Sequence, residues 1–390
     1  ICTRNISPET IRCDCHDRAD VPGLGYSICD ERGYLPDVLR PIIDDRDAIK
    51  AEIERADDSE RASTLQGRSD ALKWILVSCF GYQGFSNAKF GRIECHEAIN
   101  AFAREILLDA KGQLEDAGWR VVHGIVDSLW VTPREDHPQR PLADVAETVT
   151  QQTGIRLEYE GEYEWLAFVP LRNSESGALT KYFGKRTDGG YKYRGIECRQ
   201  RSTPAYVADC QRAVIEAFDD TRDPELVCAE LSRWLDRLET GDVDPTALEV
   251  TKRASKRLEE YTQSTRTTAA LQRATDYGRE SFAGTDISYV VVDETKSGRE
   301  RVRLPSENSS SYDAEFYREQ LISAAESVLS PVGWRAERIR EALADRTDLS
   351  LAQFRAESES RPDTETGRCP GDRSVSNRHR QSIAEETWFL

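Results

Sequence analysis

Hydrophobic and polar positions recur with two different periods along this 390-residue chain, and the change of period divides it. Leu35, Val38, Leu39, Ile42, Ile43, Ile49 and Ile53 fall at helical spacing with charged residues between them, which predicts a helix from Tyr34 to about Ala62. A second helix is predicted from about Thr64 to Phe80 and a third from about Gly91 to Leu114, and the short link between the first two makes them a helical hairpin. The residues before them, with Pro8, Pro22, Gly23 and Gly25, predict irregular structure. At Trp119 the period shortens. Trp119 to His123 and Leu129 to Thr132 are short runs of strand-forming residues on either side of Gly-Ile-Val-Asp-Ser and predict a β-hairpin. Gly161 to Pro170, with Tyr163, Trp165, Ala167, Phe168 and Val169, predicts a further strand. From there to Asp345 the pattern predicts mainly helices with basic faces, interrupted by one strand over Ile287 to Asp293. Ala352 to about Arg380 holds almost no large apolar residues and predicts disorder.

Composition changes this picture only in part. The formal charge of −17 argues against a nucleic-acid partner, because phosphate contacts need local positive potential. However, only ten of the 53 basic residues are lysine and the acids are spread evenly, which is the surface expected of a halophile. At high salt the electrostatic part of DNA binding is strongly reduced, so net charge excludes little. No stretch approaches the roughly 20 apolar residues of a membrane span, and no signal peptide opens the chain, so a cytoplasmic protein without membrane contact is expected. The sequence begins at Ile1 and contains no methionine, which leads to the expectation of a fragment with residues missing upstream. Ten cysteines are scattered, as suits thiols in a reducing compartment. Cys13, Cys15, His16 and Cys29 cluster most tightly, and without a CxxC pair they are read as ordinary loop chemistry rather than a zinc site.

Three features bear candidate chemistry. Lys73, Val77, Phe80 and Gly81 share one stripe of the second helix, where a cation suits a triphosphate and a flat ring next to glycine suits a base pair. Periodicity alone is equally satisfied by an amphipathic helix with an exposed lysine. Arg46 and Lys50 are an i, i+4 pair on the first helix, a face that either binds an anion or is solvated beside Asp45 and Asp47. Asp127 and Ser128 stand at the hairpin tip, where a carboxylate can hold Mg2+ or simply form the turn.

Taken in order, these features resemble those of family B DNA polymerases. The run Ala71 to Tyr82, with Lys73, Val77, Ser78, Phe80 and Gly81, resembles the family's fingers motif Lys-x3-Asn-Ser-x-Tyr-Gly. His123 to Ser128 resembles its palm motif Tyr-Gly-Asp-Thr-Asp-Ser. Thr180-Lys181-Tyr182-Phe183-Gly184 is similar to the Lys-x-Tyr element, and Arg194-Gly195-Ile196-Glu197 to the Arg-Gly-aliphatic-Glu element just beyond it. Asn5 to Thr10 is similar to the stretch immediately after the family's first palm motif, and the whole resemblance covers about residues 1 to 345.

The resemblance implies an α+β right-hand architecture. The palm, mixed α/β, would comprise residues 1–28 and 86–170 with the hairpin at 119–132; helical-hairpin fingers would span 29–85, a mainly helical thumb 171–345 and a disordered tail 346–390. It implies template-directed nucleotidyl transfer from deoxynucleoside triphosphates to a primer 3′-OH, with two Mg2+ ions, or Mn2+, in the full-length site. Asp127 would be catalytic residue and metal ligand; Arg46, Lys50, Lys73 and Phe80 would bind the nucleotide; Ser128, Lys181, Tyr182, Arg194 and Gly195 would meet primer–template DNA, with Lys252 and Lys256 adding contacts from a thumb helix. Val77 replaces the motif's asparagine, and Ile125 occupies the first palm aspartate position, where it cannot bind a metal. The alternative is therefore a catalytically impaired relative that binds primer–template DNA as a structural or regulatory factor. The acidic composition adds the expectation of a divergent haloarchaeal subfamily. A sliding clamp is a further candidate partner, through Gln381, Ile383, Trp388 and Phe389 in the tail.

Overall fold

A computed structural model describes residues 1–346 apart from 173, 175, 281 and 308–310, and, as backbone only, residues 383–389. The disorder expected over 352–380 lies outside the described residues. The architecture is α+β and separates into two compact units, residues 1–161 with 388–390, and residues 162–387.

In the first unit, the irregular segment leads through a single 3-10 turn into α1 (Tyr34–Glu54), α2 (Ser59–Gln83) and α3 (Ile93–Asp116). The first helix is thus shorter than its apolar spacing implies and the second begins earlier. The cause is Asp58, whose side chain accepts a hydrogen bond from Glu60 N at 3.1 Å and caps α2 where the apolar spacing continues α1. Helix α3 serves two cores. Cys95, Ala98, Ala101 and Phe102 pack with Ile6, Ile11, Val21 and Ile28 of the opening segment. About two turns further on, Ala110 and Leu114 pack with Trp119, Leu129 and Val131 of the hairpin β1 (Trp119–Ile125) and β2 (Ser128–Pro133), and with α4 (Leu142–Thr153). The hairpin is thereby seated on a helix through its buried face.

The second unit begins with a meander of β3 (Gly161–Pro170), β4 (Gly177–Arg186) and β5 (Tyr191–Arg194), each antiparallel to the next. Strand β3 agrees with the sequence pattern; β4 and β5 fall where that pattern predicts helices. Helices α5 (Ala205–Thr221) and α6 (Pro224–Glu239) come next, then β6 (Val250–Arg253), α7 (Arg266–Asp276), β7 (Asp286–Val291), β8 (Val302–Arg303) and α8 (Ala314–Leu329), with residues 336–346 helical as well. Strands β6, β7 and β8 form a second antiparallel sheet. One core joins these elements, from Trp165 and Phe183 on the meander through Val214, Ile215 and Phe218 to Leu321 and Val328.

The meander is tied to α5 by Asp219. This nearly buried carboxylate accepts from Trp165 Nε1 at 2.6 Å, Tyr191 OH at 2.7 Å and an Arg222 guanidinium nitrogen at 2.9 Å, with Lys185 Nζ at 3.2 Å. Burial pushes its pKa up, but the hydrogen bonds from Tyr191, Lys185 and Trp165 together hold it below the ordinary aspartate value.

Part of the tail is not structureless. Residues Ile383–Phe389 form strand β9, and its last residues lie antiparallel to β2, with Trp130 opposite Phe389 and Val131 opposite Trp388. The expectation of disorder over 346–390 is corrected there: Ile383, Thr387, Trp388 and Phe389 are strand-forming residues, and β2 has an open backbone edge.

A second buried carboxylate makes the fold pH-sensitive. Arg273 holds Glu307 with both guanidinium arms, Nε to Oε2 being 2.7 Å, while Leu304 N donates to the same oxygen at 2.6 Å. Hydrogen bonding to Arg273 is the main cause that holds the Glu307 pKa down at about 2, against an ordinary 4.5. A carboxyl depressed on folding contributes stability that is present above its unfolded pKa and is lost as pH falls through the folded value. Glu307 is therefore expected to supply about 3 kcal/mol at neutral pH that disappears between about pH 5 and pH 2. Denaturant unfolding of Glu307→Gln across that range should show a shallower acid loss for the second unit; an unchanged slope would show that the pair does not set it.

Candidate nucleotide and nucleic-acid interface

The hairpin tip is built by a two-residue loop. Ile125 pairs with Ser128, so Val126 and Asp127 alone make the turn, and Val126 takes a left-handed backbone with φ of 55°. Such turns favour glycine at this position, because a β-branched side chain crowds the backbone there. The strained residue immediately precedes Asp127, whose carboxylate is exposed and accepts from Ser128 Oγ at 3.3 Å. Val126 itself is 74% exposed, so packing does not explain it. Held strain at an exposed tip points to a positioning role for the turn. Behind it, the His123 ring meets Trp130 edge-on at 5.1 Å.

Asp127 offers one hard oxygen ligand. Ile125, two residues before it, offers none, and among the described residues no group of three ligating side chains includes Asp127. The hairpin thus fits one donor of a divalent-ion centre but is not a complete one. The group of three that the described residues do assemble is Cys13, Cys15 and His16, in the opening segment.

On α2 the residues Leu65, Ser69, Leu72, Leu76, Cys79 and Gln83 are buried or half-buried at helical spacing and form its packing stripe. Lys73, Val77 and Gly81 lie outside that stripe and are exposed, as the sequence pattern requires, beside Phe80. Phe80 has one neighbour the sequence does not indicate: its ring stacks on His96 of α3 at 4.4 Å, tilted by 24°. Gly84 brings the backbone to that imidazole, since a Cβ there would stand 3.2 Å from His96 Nδ1. On α1 Leu35, Leu39, Ile42, Arg46, Ile49 and Ile53 form the corresponding inward stripe. Arg46 is therefore half-buried in a helix seam, and its Nε is enclosed without a hydrogen-bond partner among the described residues. Lys50, one turn on, is also half-buried. None of Arg46, Lys50 and Lys73 joins an ion pair among the described residues; the pair that links the two helices is Arg61 with Glu52 at 3.9 Å. Each of these three cations is thus without an acid partner among the described residues, Arg46 and Lys50 on the packed side of α1 and Lys73 on the exposed side of α2.

In the second unit the Lys-x-Tyr and Arg-Gly-Ile-Glu elements are brought together by strand pairing, with Tyr182 on β4 opposite Arg194 on β5. Lys181 is part-exposed and faces Glu197 at 3.8 Å. Tyr182 is only 5% exposed and tilts against Phe168 at 5.7 Å, so it supports the strand that carries Lys181. Gly195 has φ of 65°, and a Cβ there would meet the Thr180 carbonyl oxygen at 2.2 Å. Only glycine lets the chain turn so close to β4. Beyond it, Gln211 of α5 is fully buried: its Oε1 accepts from Cys198 N at 2.7 Å, and its Nε2 donates to Glu197 Oε2 at 2.6 Å and to the Ala324 carbonyl at 2.8 Å. Lys192, Arg194 and Arg199 line one open cleft beside this turn. Sequence reasoning misses Gln211, Lys192 and Arg199; Glu197 lies within a motif it uses but receives no role from it. Lys252 and Lys256 are not on a helix. Lys252 is on strand β6, where Val250 and Thr251 favour extended backbone, and Lys256 is in the loop after it.

The sequence profile of DNA polymerase family B matches residues 7–332. The chain belongs to DNA polymerase family B. It is 28% identical over 362 residues to a DNA polymerase of Thermococcus sp., a match covering 87% of this chain and 44% of that one. It is 36% identical over 176 residues to DNA polymerase 2 of Saccharolobus solfataricus, covering 45% of this chain and 24% of that one. Among solved structures, the family B DNA polymerase of the hyperthermophilic archaeon Pyrobaculum calidifontis superimposes with a TM-score of 0.57 at 24% identity, over 86% of this chain and 44% of that one. The chain thus spans less than half the length of the family B relatives it matches. No helix among the described residues is long and apolar enough to cross a membrane.

Relief of the hairpin strain is measurable. Val126→Gly should stabilise the first unit by about 1 kcal/mol in denaturant unfolding, since the left-handed penalty of roughly 1–2 kcal/mol exceeds the entropic cost of glycine. A loss of stability would mean that the turn is not strained.

Proposed function

We propose that the protein acts as a DNA-directed DNA polymerase, adding nucleotides to a primer 3′-OH under template direction. The observation that carries this reading is the succession of family B motifs in one chain, with Asp127 held exposed at a hairpin tip by a strained turn. In this reading residues 1–28 and 86–170 are palm, 29–85 fingers and 171–345 thumb.

Arg46, Lys50 and Lys73 bind the triphosphate; none of them joins an ion pair among the described residues. Phe80 packs against the nascent base pair, with His96 bracing its ring from behind. Val77, which has no polar group, leaves that packing without the hydrogen bond an asparagine would add. Ser128, Lys181, Arg194 and Gly195 meet the duplex backbone, with Lys192 and Arg199 in the same cleft as Arg194. Glu197, fixed by Gln211, keeps Lys181 in place. Such contacts hold a duplex by phosphate and shape without reading sequence. Lys252 and Lys256 are supplementary contacts. Divalent magnesium, for which manganese can substitute, supplies the charge stabilisation of nucleotidyl transfer. Asp127 is its ligand in this hairpin, and a two-ion centre needs carboxylates from outside it.

A second reading rests on Ile125 and Val77: a relative that binds primer–template DNA without extending it. Primer extension by the full-length protein separates the two. Asp127→Ala should lower the rate of incorporation on the order of 100-fold or more, while leaving DNA affinity within a few-fold. Extension unaffected by that change would remove Asp127 from the site, and tight DNA binding with no incorporation in Mg2+ or Mn2+ would establish the second reading.

A further inference from the structure

The opening segment folds back on itself ahead of α1. Ile11 bridges Ile28 in antiparallel fashion, Arg12 N donates to Ser27 O at 2.7 Å and Cys29 N to Thr10 O at 2.9 Å. This pairing sets Cys13, just past one arm, beside Cys29 at the end of the other. The chain between them returns Cys15 and His16 to the same place. Cys15 Sγ lies 2.8 Å from Cys13 Sγ and 3.5 Å from Cys29 Sγ, and His16 Nε2 lies 3.9 Å from Cys13 Sγ.

Neither ordinary packing nor loop chemistry accounts for this. Thiols are weak hydrogen-bonding groups, and three of them gathered at a part-exposed loop give little stability by contact alone. The remaining described cysteines, at Cys2, Cys79, Cys95, Cys198, Cys210 and Cys228, join no such group among the described residues, and four of them are buried. A tetrahedral zinc ion with bonds of about 2.3 Å to sulfur places its sulfurs about 3.8 Å apart, near the 3.5 Å between Cys15 and Cys29, while Cys13 and Cys15 at 2.8 Å would part by about 1 Å to admit it. Cys13, Cys15 and His16 already form one close group, Cys29 adjoins it through Cys15, and three sulfurs with one imidazole are a ligand set for that geometry.

We propose that Cys13, Cys15, Cys29 and His16 bind one zinc-class divalent ion, with Asp127 taking no part. Each thiol releases its proton to solvent on binding, and no redox step is involved. His16 exchanges its present neighbours, the Ile28 carbonyl at 3.0 Å and an Arg18 guanidinium nitrogen at 2.9 Å, for the metal. The lack of a CxxC pair, which argues against a metal in the sequence, is made good by the antiparallel bridge that brings Cys29 back. The site would clamp the segment from which α1 springs: Asn5 bonds the Cys29 and Glu31 carbonyls at 2.8 and 2.7 Å and accepts from Gly33 N at 2.8 Å, immediately before Tyr34.

The test uses the whole chain, purified under reducing conditions without chelators. Elemental analysis should find about one zinc per chain, retained in Cys79→Ser and lost in Cys15→Ser and Cys29→Ser, with His16→Ala weakening binding rather than abolishing it. Cobalt titration of the metal-stripped wild-type protein should give thiolate-to-cobalt charge-transfer absorption that saturates near one equivalent, a readout independent of whether any variant folds. Protease cleavage between residues 13 and 33 should become faster once the metal is stripped. Absence of both zinc and the thiolate–cobalt band overturns the proposal, as does peptide mapping that finds Cys13 and Cys29 joined in a disulfide in the reduced preparation.

Discussion

The second unit is organised around one amide. Gln211 has every polar group satisfied and no water access, and its three partners come from two places: Glu197 and Cys198 in the turn after Gly195, and the Ala324 carbonyl within α8. An amide with donors and acceptors fixed in a plane cannot slide as a hydrophobic contact can, and leaving one of its groups unpaired in the core costs about 1–3 kcal/mol. The basic turn is therefore held to the helical core by direction as well as by burial. Asp219 performs a similar service for the other end of the meander, so that the strand bearing Lys181 is anchored at both sides.

The parts legible in the sequence are those in which one period persists. The helical hairpin, α3, the β1–β2 hairpin and β3 all arise from apolar spacing, and β3 begins and ends as that spacing indicates. What escapes is structure whose local signal is weak. Strand β4 contains Gly177, Lys181, Gly184 and Lys185, and its pairing with two neighbours outweighs the poor strand preference of those residues. Strand β6 is four residues long, too short for a period to register, and this is why the sequence alone puts Lys252 on a helix. Of the candidate site, the residue types and their order are readable, while partners distant in sequence are not. His96 behind Phe80, Gln211 behind Glu197 and Cys29 beside Cys15 are separated by 16, 14 and 14 positions, and only the fold closes those gaps.

Net charge is a poor guide for a related reason. A chain with 70 acids and 53 bases can still keep particular cations free of acids, and the positions where it does so are informative. Many arginines among the described residues are neutralised within a few residues or by an acid from another element, as Arg212 is by Asp209 and Arg233 by Glu230. Arg46, Lys50 and Lys73 are not. Local pairing, rather than the sum over the chain, decides where an anion can settle.

Gly195 carries a consequence for how this protein can vary. Every other amino acid brings a Cβ, and the clash with the Thr180 carbonyl arises at that first atom, before size, charge or polarity is expressed. A saturation library at this codon should therefore lack the usual ranking from conservative to radical. Alanine and tryptophan would fail for the same reason, and recovery would come from second-site changes that move the β4 backbone.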